Sequence, residues 1–302
     1  MVAFRSAFDA SIRVPAKVNL FFEVLGRRSD GFHEIETLMV PIDLFDELFF
    51  ESDSSGQVAV ECAWASANIR AAHATLGKLP DSASNLATRA VELLKQRAGV
   101  NHGARIRLLK RIPLAAGLGG GSADAAAALI AANLAWNLGW SRERLAQVAA
   151  ELGSDVPFFL YGGSAICRGR GEKIEPVTDL GIWHAVVVKP PEGLSTADVY
   201  RNCRPTNEPR PIEPLVAAMR RGDCRGIAIY LANRLEPAAA ELSPSIGELS
   251  REFRRLDCVA AQMSGSGSSD FGICRSARHA RRMASLLRAR NVGRVFVVRM
   301  GA

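Results

Sequence analysis

Long apolar runs are missing from this chain of 302 residues: the longest spans only Ala125 to Ala132. That is well short of the ~18 residues a membrane span requires, so no transmembrane helix is expected. The first residues, Met1 to Ala10, have neither a basic leader nor the apolar core of a secretory signal, which points to a cytoplasmic protein. Cysteine is sparse and scattered: Cys62, Cys167, Cys203, Cys224, Cys258 and Cys274 form no Cys-x-x-Cys pair, the pattern of free thiols rather than of a disulfide frame or a zinc site. Aromatic residues make up only 7%, too few for an evident nucleic-acid stacking platform. No repeat period or low-complexity tract appears, so a solenoid is disfavoured.

What is present is a globular composition, 48% hydrophobic and 23% charged, long enough for two domains or one large α/β domain. The 38 basic residues exceed the 31 acidic ones and give a net charge of +7. They are dispersed along the chain, which suits a small phosphorylated partner better than nucleic acid.

Alternation over Val14 to Phe22 predicts a half-buried strand with Ala16, Val18, Leu20 and Phe22 on one face and Lys17 and Asn19 on the other. Ser84-Asn85 before Leu86, Ala90, Leu93 and Leu94 predicts a capped helix that ends near Ala98 at Gly99. Strand character returns over Arg105 to Ile112. A buried, alanine-rich helix follows from Ser122, then a helix capped by Ser141 and ended by Gly153. Ala185 to Val188 reads as a buried strand, the surroundings of Ala217 and Leu249 as helices, and Val295 to Val298 as the last strand. The class is mixed α and β. The weakest part of the pattern, Pro176 to Gly181, is the expected domain boundary, dividing 1–179 from 180–302.

The most informative segment is Pro113-Leu114-Ala115-Ala116-Gly117-Leu118-Gly119-Gly120-Gly121-Ser122. Clustered glycines at the mouth of a helix let the backbone approach an anion and aim free N–H groups at it, as a phosphate cradle does. No Gly-Lys-Ser/Thr follows, so it is not a Walker loop, and Asp124 breaks the Gly-x-Ser-x-Gly elbow. In Gly153-Ser154-Asp155-Val156-Pro157 the carboxylate is flanked by apolar residues and reads either as a turn former or as a base for an attacking hydroxyl. Lys17 is either a cation for phosphate or for an aspartate, or a side chain snorkelling from an edge strand. Phe32-His33 suits a heterocycle, though a lone histidine is as readily structural. Ser264 to Ser269 is a flexible linker by composition, or a tight loop that closes over phosphates after an apparent helix. The basic helix around Arg281, Arg282, Arg288 and Arg290 reads as a solvated face.

The order of Pro15-Ala16-Lys17-Val18-Asn19-Leu20, Pro113 to Ser122 and Ser264-Gly265-Ser266-Gly267 resembles the three motifs of the GHMP kinases, across nearly the whole chain. Arg28-Ser29-Asp30-Gly31-Phe32-His33 and Gly153 to Phe159 resemble the branch acting on a cytidine diphosphate derivative of methylerythritol. The resemblance implies a two-domain α/β fold: an N-terminal ribosomal-protein-S5-like domain with a left-handed crossover, a C-terminal α/β domain, and the active site in the cleft. It implies transfer of phosphate from ATP, with Mg²⁺, to the substrate's 2-hydroxyl in the non-mevalonate isoprenoid route. Asp155 would be the base and Lys17 its catalytic neighbour. Asn85, Lys110, Pro113, Leu114, Ala115, Ala116, Gly117, Leu118, Gly119, Gly120, Gly121, Ser122 and Ala123 would line the nucleotide pocket. Asn19, Phe32, His33, Asp155, Thr196, Gly265, Ser266 and Gly267 would meet the acceptor. The metal ligands are not specified, and a monomer or weak homodimer is expected. Two departures stand out: Phe32 replaces a common Tyr, and Ala115-Ala116 replace common glycines.

Overall fold

The computed structural model describes residues 8–66, 73 and 75–301; the start of the N-terminal segment read above, residues 1–7, lies outside them. In chain order the first part comprises β1 (Ala10–Arg27), β2 (His33–Asp53), β3 (Val58–Trp64), α1 (Leu86–Ala98), β4 (Gly103–Lys110), α2 (Gly120–Ala135), α3 (Arg142–Leu152), α4 (Val156–Tyr161), β5 (Ser164–Gly169) and β6 (Lys173–Val177). The second comprises β7 (Trp183–Lys189), α5 (Thr196–Asn202), α6 (Glu213–Arg221), α7 (Cys224–Tyr230), β8 (Ala232–Asn233), α8 (Glu236–Leu242), α9 (Pro244–Arg254), β9 (Ala260–Met263), β10 (Asp270–Cys274), α10 (Ala277–Ala289) and β11 (Arg294–Met300).

The strands form one sheet whose main path runs β3-β4-β2-β11-β7-β10-β9. The long strand β2 is its hub. It pairs with β1 along nearly its whole length, with β4 over Glu47 to Asp53 and with β5 over Ile35 to Met39. β11 pairs with it at Met300 and Ile42, beside the bonds of Arg299 N to Asp43 Oδ1 at 2.6 Å and Gly301 N to Pro41 O at 3.3 Å, and this is the seam between the two parts of the chain. The core is continuous across that seam: Val18, Leu20 and Ile42 pack in one cluster with Val187, Phe271 and Met300.

Local chemistry explains most elements. Asn85 caps α1 by accepting from the Ala87 N–H at 2.9 Å, and Gly99 ends it in the left-handed conformation at φ 67°. Ser141 caps α3, and its Oγ accepts from Arg144 N. Helix α2 has no polar stripe, as expected for a helix buried all round, and its alanines let it pack closely against β1, β2, α1 and α4.

Three expectations are corrected. β1 is buried on both faces: Lys17 and Asn19 are as inaccessible as the apolar residues beside them, because β1 is covered and paired rather than an open edge. The alternation also breaks at a bulge, since Asn19 opposes Met39 and Phe21 opposes Leu38, leaving Leu20 as the extra residue. Phe22 therefore leaves the face of Ala16, Val18 and Leu20 and packs with Val24 and Ile35. Finally, Ser264 to Ser269 follows a strand, β9, rather than a helix. It joins β9 to β10 as a hairpin loop closed by Ser264 N to Ser269 O at 2.8 Å, which rules out a linker. All six cysteines are free, and no helix among the described residues is long and apolar enough to cross a membrane.

Candidate active site

A cavity of about 1100 Å³ is where the separate motifs converge. Its walls include Lys17, Phe32, His33, the loop Pro113 to Gly117, Gly119 to Ser122, Asp155, Thr196 and Gly265 to Gly267. These residues come from β1, the turn after it and the start of β2, the α2 entrance, the α3–α4 junction, the start of α5 and the β9–β10 loop.

Lys17 and Asp155 face each other across this cavity. The Lys17 Nζ lies 3.4 Å from Asp155 Oδ2, with side-chain exposures of 4% and 32%. A buried ammonium thus meets a carboxylate that still reaches solvent. The same Nζ donates to Asn19 Oδ1 at 2.6 Å, and Asn19 Nδ2 donates to Thr37 Oγ1 at 2.8 Å, which fixes the amide's orientation. Asp155 stands at the N-cap position of α4 but makes no capping hydrogen bond with its side chain, so its carboxylate is left for Lys17 and the cavity.

The glycine loop is shaped by close backbone approach. A Cβ on Gly117 would come within 2.1 Å of the Ser264 carbonyl oxygen, and Gly117 sits at φ 71°. On Gly119, also left-handed, a Cβ would meet Phe159 at 2.8 Å and Lys17 Cγ at 3.0 Å. Gly121 faces no neighbour within 4 Å. Helix α2 begins at Gly120, two residues before the sequence pattern placed it, so the glycines themselves carry its unpaired N–H groups. The loop is tied to its surroundings by Lys17 N to Leu118 O at 3.0 Å, Ser264 Oγ to Gly117 O at 3.0 Å and Ser269 N to Ala116 O at 3.2 Å.

At the other end of the cavity the walls are side chains. The rings of His33 and Tyr200 lie 5.1 Å apart at 30°, Phe22 packs edge-on against Tyr200, and the Arg170 guanidinium sits 5.0 Å over Phe32. Phe32 is 47% exposed, an available ring face. Burial, and then the charge of Arg27, lower the pKa of His33, so it is a neutral imidazole at pH 7 with one donor and one acceptor nitrogen. Thr196 Oγ1 lies 2.9 Å from Ser266 Oγ, joining the start of α5 to the β9–β10 loop.

Several predicted residues lie elsewhere. Asn85 is buried as the cap of α1; its neighbour Leu86 reaches the cavity instead. Leu118 and Ala123 point into the core. Asn19 is fully buried and grips Lys17 rather than lining the cavity. Lys110 lies beneath the glycine loop and borders a separate, smaller cavity of about 370 Å³. Its Nζ bonds both Asp46 and Asp124, while Asp46 Oδ1 accepts the N–H groups of Arg111 and Ile112 just before the loop. Burial alone would lower the pKa of Lys110, but Asp124 and Asp46 outweigh it and keep the ammonium charged. Sequence reasoning missed Tyr200, Arg170, Phe22 and Ser154 on the cavity wall. No motif marks Tyr200 or Arg170, and the bulge that turns Phe22 inward leaves no trace in the pattern.

Comparison with known proteins decides the family. Residues 85–163 match the model of the GHMP kinases N terminal domain, and residues 215–292 that of the GHMP kinases C terminal. A 4-diphosphocytidyl-2-C-methyl-D-erythritol kinase of Pelotomaculum thermopropionicum is 43% identical over 278 residues, 90% of this chain and 92% of that protein. The chain belongs to the GHMP kinase family. The kinase of the same name from Shouchella clausii is 38% identical over 280 residues, 92% of this chain and 90% of that protein. A crystal structure of 4-(cytidine 5'-diphospho)-2C-methyl-D-erythritol kinase, 38% identical, superposes with a TM-score of 0.79 over 97% of this chain and 100% of that one. As a GHMP kinase the chain uses ATP, and its family fold of N- and C-terminal parts agrees with the two-part α/β architecture expected from its motifs.

Proposed function

We infer that this GHMP kinase transfers the γ-phosphoryl group of ATP to the 2-hydroxyl of 4-diphosphocytidyl-2-C-methyl-D-erythritol, yielding the 2-phosphate and ADP in the non-mevalonate isoprenoid route. The observation that carries the reading is the 3.4 Å Lys17–Asp155 pair, set in one cavity with the glycine loop and the aromatic wall.

In this reading the backbone N–H groups of Gly119 to Ser122 hold the nucleotide's phosphates at the mouth of α2. Phe32, His33 and Tyr200 hold the cytosine, the rings by stacking and the neutral imidazole by hydrogen bonding. The acceptor's 2-hydroxyl then lies near Asp155, whose carboxylate takes its proton as the new O–P bond forms and the bond to the β-phosphate oxygen breaks. Lys17 pairs with Asp155 and offsets charge on the transferring group, while Asn19 keeps Lys17 in place. The Ser122 hydroxyl and the Asp155 carboxylate are hard oxygen donors that line the same cavity, the donor chemistry Mg²⁺ takes. No group of three acidic, histidine or cysteine residues among the described residues could hold a metal, so the nucleotide would supply most of its ligands. Bound there, Mg²⁺ would neutralise phosphate charge.

The same reading divides the chain at residues 179 and 180, and takes it as a cytoplasmic monomer or weak homodimer. The test is ADP release from Mg²⁺-ATP with four acceptors: 4-diphosphocytidyl-2-C-methyl-D-erythritol, mevalonate, homoserine and galactose. Release with the cytidylated acceptor alone is expected. Release with another acceptor instead would overturn the substrate assignment while leaving the kinase family intact.

A further inference from the structure

The loop Ser264 to Ser269 reaches the cavity through Gly265, Ser266 and Gly267, and its two stems are the paired residues Met263 and Asp270. Below those stems lies a cluster of acids that the phosphoryl transfer does not use. Asp270 is 1% exposed. Its Oδ2 lies 2.8 Å from Ser250 Oγ, and its Oδ1 is buried with no partner. Ser250 Oγ is also 3.2 Å from Glu236 Oε1, and Glu236 Oε2 accepts the Met263 N–H at 3.2 Å.

Counting protons decides the charge state. A serine hydroxyl has one hydrogen, so Ser250 cannot donate to both carboxylates. With Asp270 and Glu236 both ionised, one of the two contacts would set an oxygen lone pair against another. No cation among the described residues lies within 4 Å of the Asp270 carboxyl, and a buried carboxylate with one hydrogen bond and one orphan oxygen is strongly disfavoured. A neutral carboxyl resolves both problems. Its O–H donates to Ser250 Oγ, Ser250 donates to Glu236, and Glu236 accepts the Met263 N–H, so each contact has one hydrogen.

We propose that Asp270 is carried as the neutral acid, and that this proton chain through Ser250 and Glu236 makes it a positioning residue for the Ser264–Ser269 wall of the active site. The electrostatics agree: burial first, and then Glu236, push the Asp270 carboxyl up to about 8, against the weaker pulls of Ser250 and Arg254. Loss of the proton places two carboxylates on one hydroxyl at the foot of the loop. Ser264 Oγ donates to Gly117 O at 3.0 Å, and Asn19 N donates to Ser264 Oγ at 3.3 Å, so a displacement there reaches both the glycine loop and the strand that carries Lys17. The inference rests on the phosphoryl-transfer reading of the cavity.

The test compares the wild type, Asp270→Asn and Asp270→Ala by kcat against pH and by thermal unfolding against pH. The Asn amide donates to Ser250 as the acid does but does not titrate. Asp270→Asn is expected to keep kcat at pH 7 within about twofold of wild type, and to hold it to pH 9, where the wild type falls several-fold. Asp270→Ala, neutral but with nothing to donate, is expected to lose kcat at every pH. A carboxyl raised on folding binds its proton more tightly in the native chain than in the unfolded one. Wild-type stability should therefore decline relative to Asp270→Asn as pH rises from about 4 to about 8 and then run parallel to it. Identical alkaline limbs in wild type and Asp270→Asn, or an unfolding difference that does not change with pH, would overturn the proposal. If the wild type does not phosphorylate the cytidylated acceptor at pH 7, the functional reading fails while the unfolding comparison still decides the state of Asp270.

Discussion

The two ends of the cavity are built from different parts of the chain. At the α2 entrance the wall is backbone: glycine is needed at Gly117 and Gly119 because a Cβ would strike Ser264 or Phe159. At the other end Phe32, His33, Tyr200 and Arg170 present rings and charge from β1's turn, α5 and the β5–β6 turn. The backbone end suits the part of the substrate pair that every kinase of this kind shares, the phosphates, and the side-chain end suits the part that distinguishes one acceptor from another. Lys17 and Asp155 stand between them.

The largest effect is expected where the two ends meet. Asp155→Asn keeps the side chain's shape but cannot take a proton, and should lower kcat by roughly 10²–10⁴-fold with nucleotide affinity nearly unchanged. Single-turnover rates and nucleotide binding, measured together, check this. A mutant with near-normal turnover would remove Asp155 from the role of base and leave alignment as the whole of catalysis.

Next is a change confined to the backbone end. Gly117→Ala forces a Cβ against the Ser264 carbonyl in a left-handed conformation, so the β9–β10 loop or the cradle must move. A loss of about 10²-fold in kcat/KM and a lower unfolding temperature are expected, equally severe for any acceptor. The matching change at the other end is His33→Ala. It should raise the KM for the cytidylated acceptor about tenfold while leaving kcat and the KM for ATP close to wild type. An equal rise in both KM values would show that the two ends are not separable.

How far the site could be read from sequence follows the same division. The glycine loop was legible because clustered glycines are a local signature, and Gly117 to Ser122 lie together in the chain. Helix caps at Asn85, Ser141 and Gly99 were legible for the same reason. The aromatic wall was half legible. Phe32-His33 sits in a recognisable turn, but Tyr200, 167 positions after His33, is brought to it by tertiary packing alone, with the His33 ring 5.1 Å away. Asn19 was expected to meet the acceptor and Lys110 to line the nucleotide pocket, yet neither lines the cavity. Each bonds a charged partner beneath the surface, and which side of a buried strand faces a cavity is decided by layers that sequence alternation does not record. The Leu20 bulge is the plainest case, since one extra residue reversed the facing of Phe22 without altering the composition around it.

The smallest predicted effect bears on the departure at Ala115. This residue adopts φ 48°, a left-handed conformation in which a Cβ costs about 1–2 kcal/mol, while the flanking loop has no other reason to need a methyl group there. Replacing it with glycine removes that strain but makes the unfolded chain freer by about 0.4–1 kcal/mol. The two terms oppose each other, so Ala115→Gly should stabilise the protein by only about 0.5 kcal/mol. Its catalytic effect should be smaller still, because the close backbone contacts of the glycine loop are those of Gly117 and Gly119 rather than of Ala115. Denaturant unfolding checks the sign. A destabilised Ala115→Gly would mean that the methyl group holds the loop's entrance in place, and the backbone end of the cavity would then depend on a side chain after all.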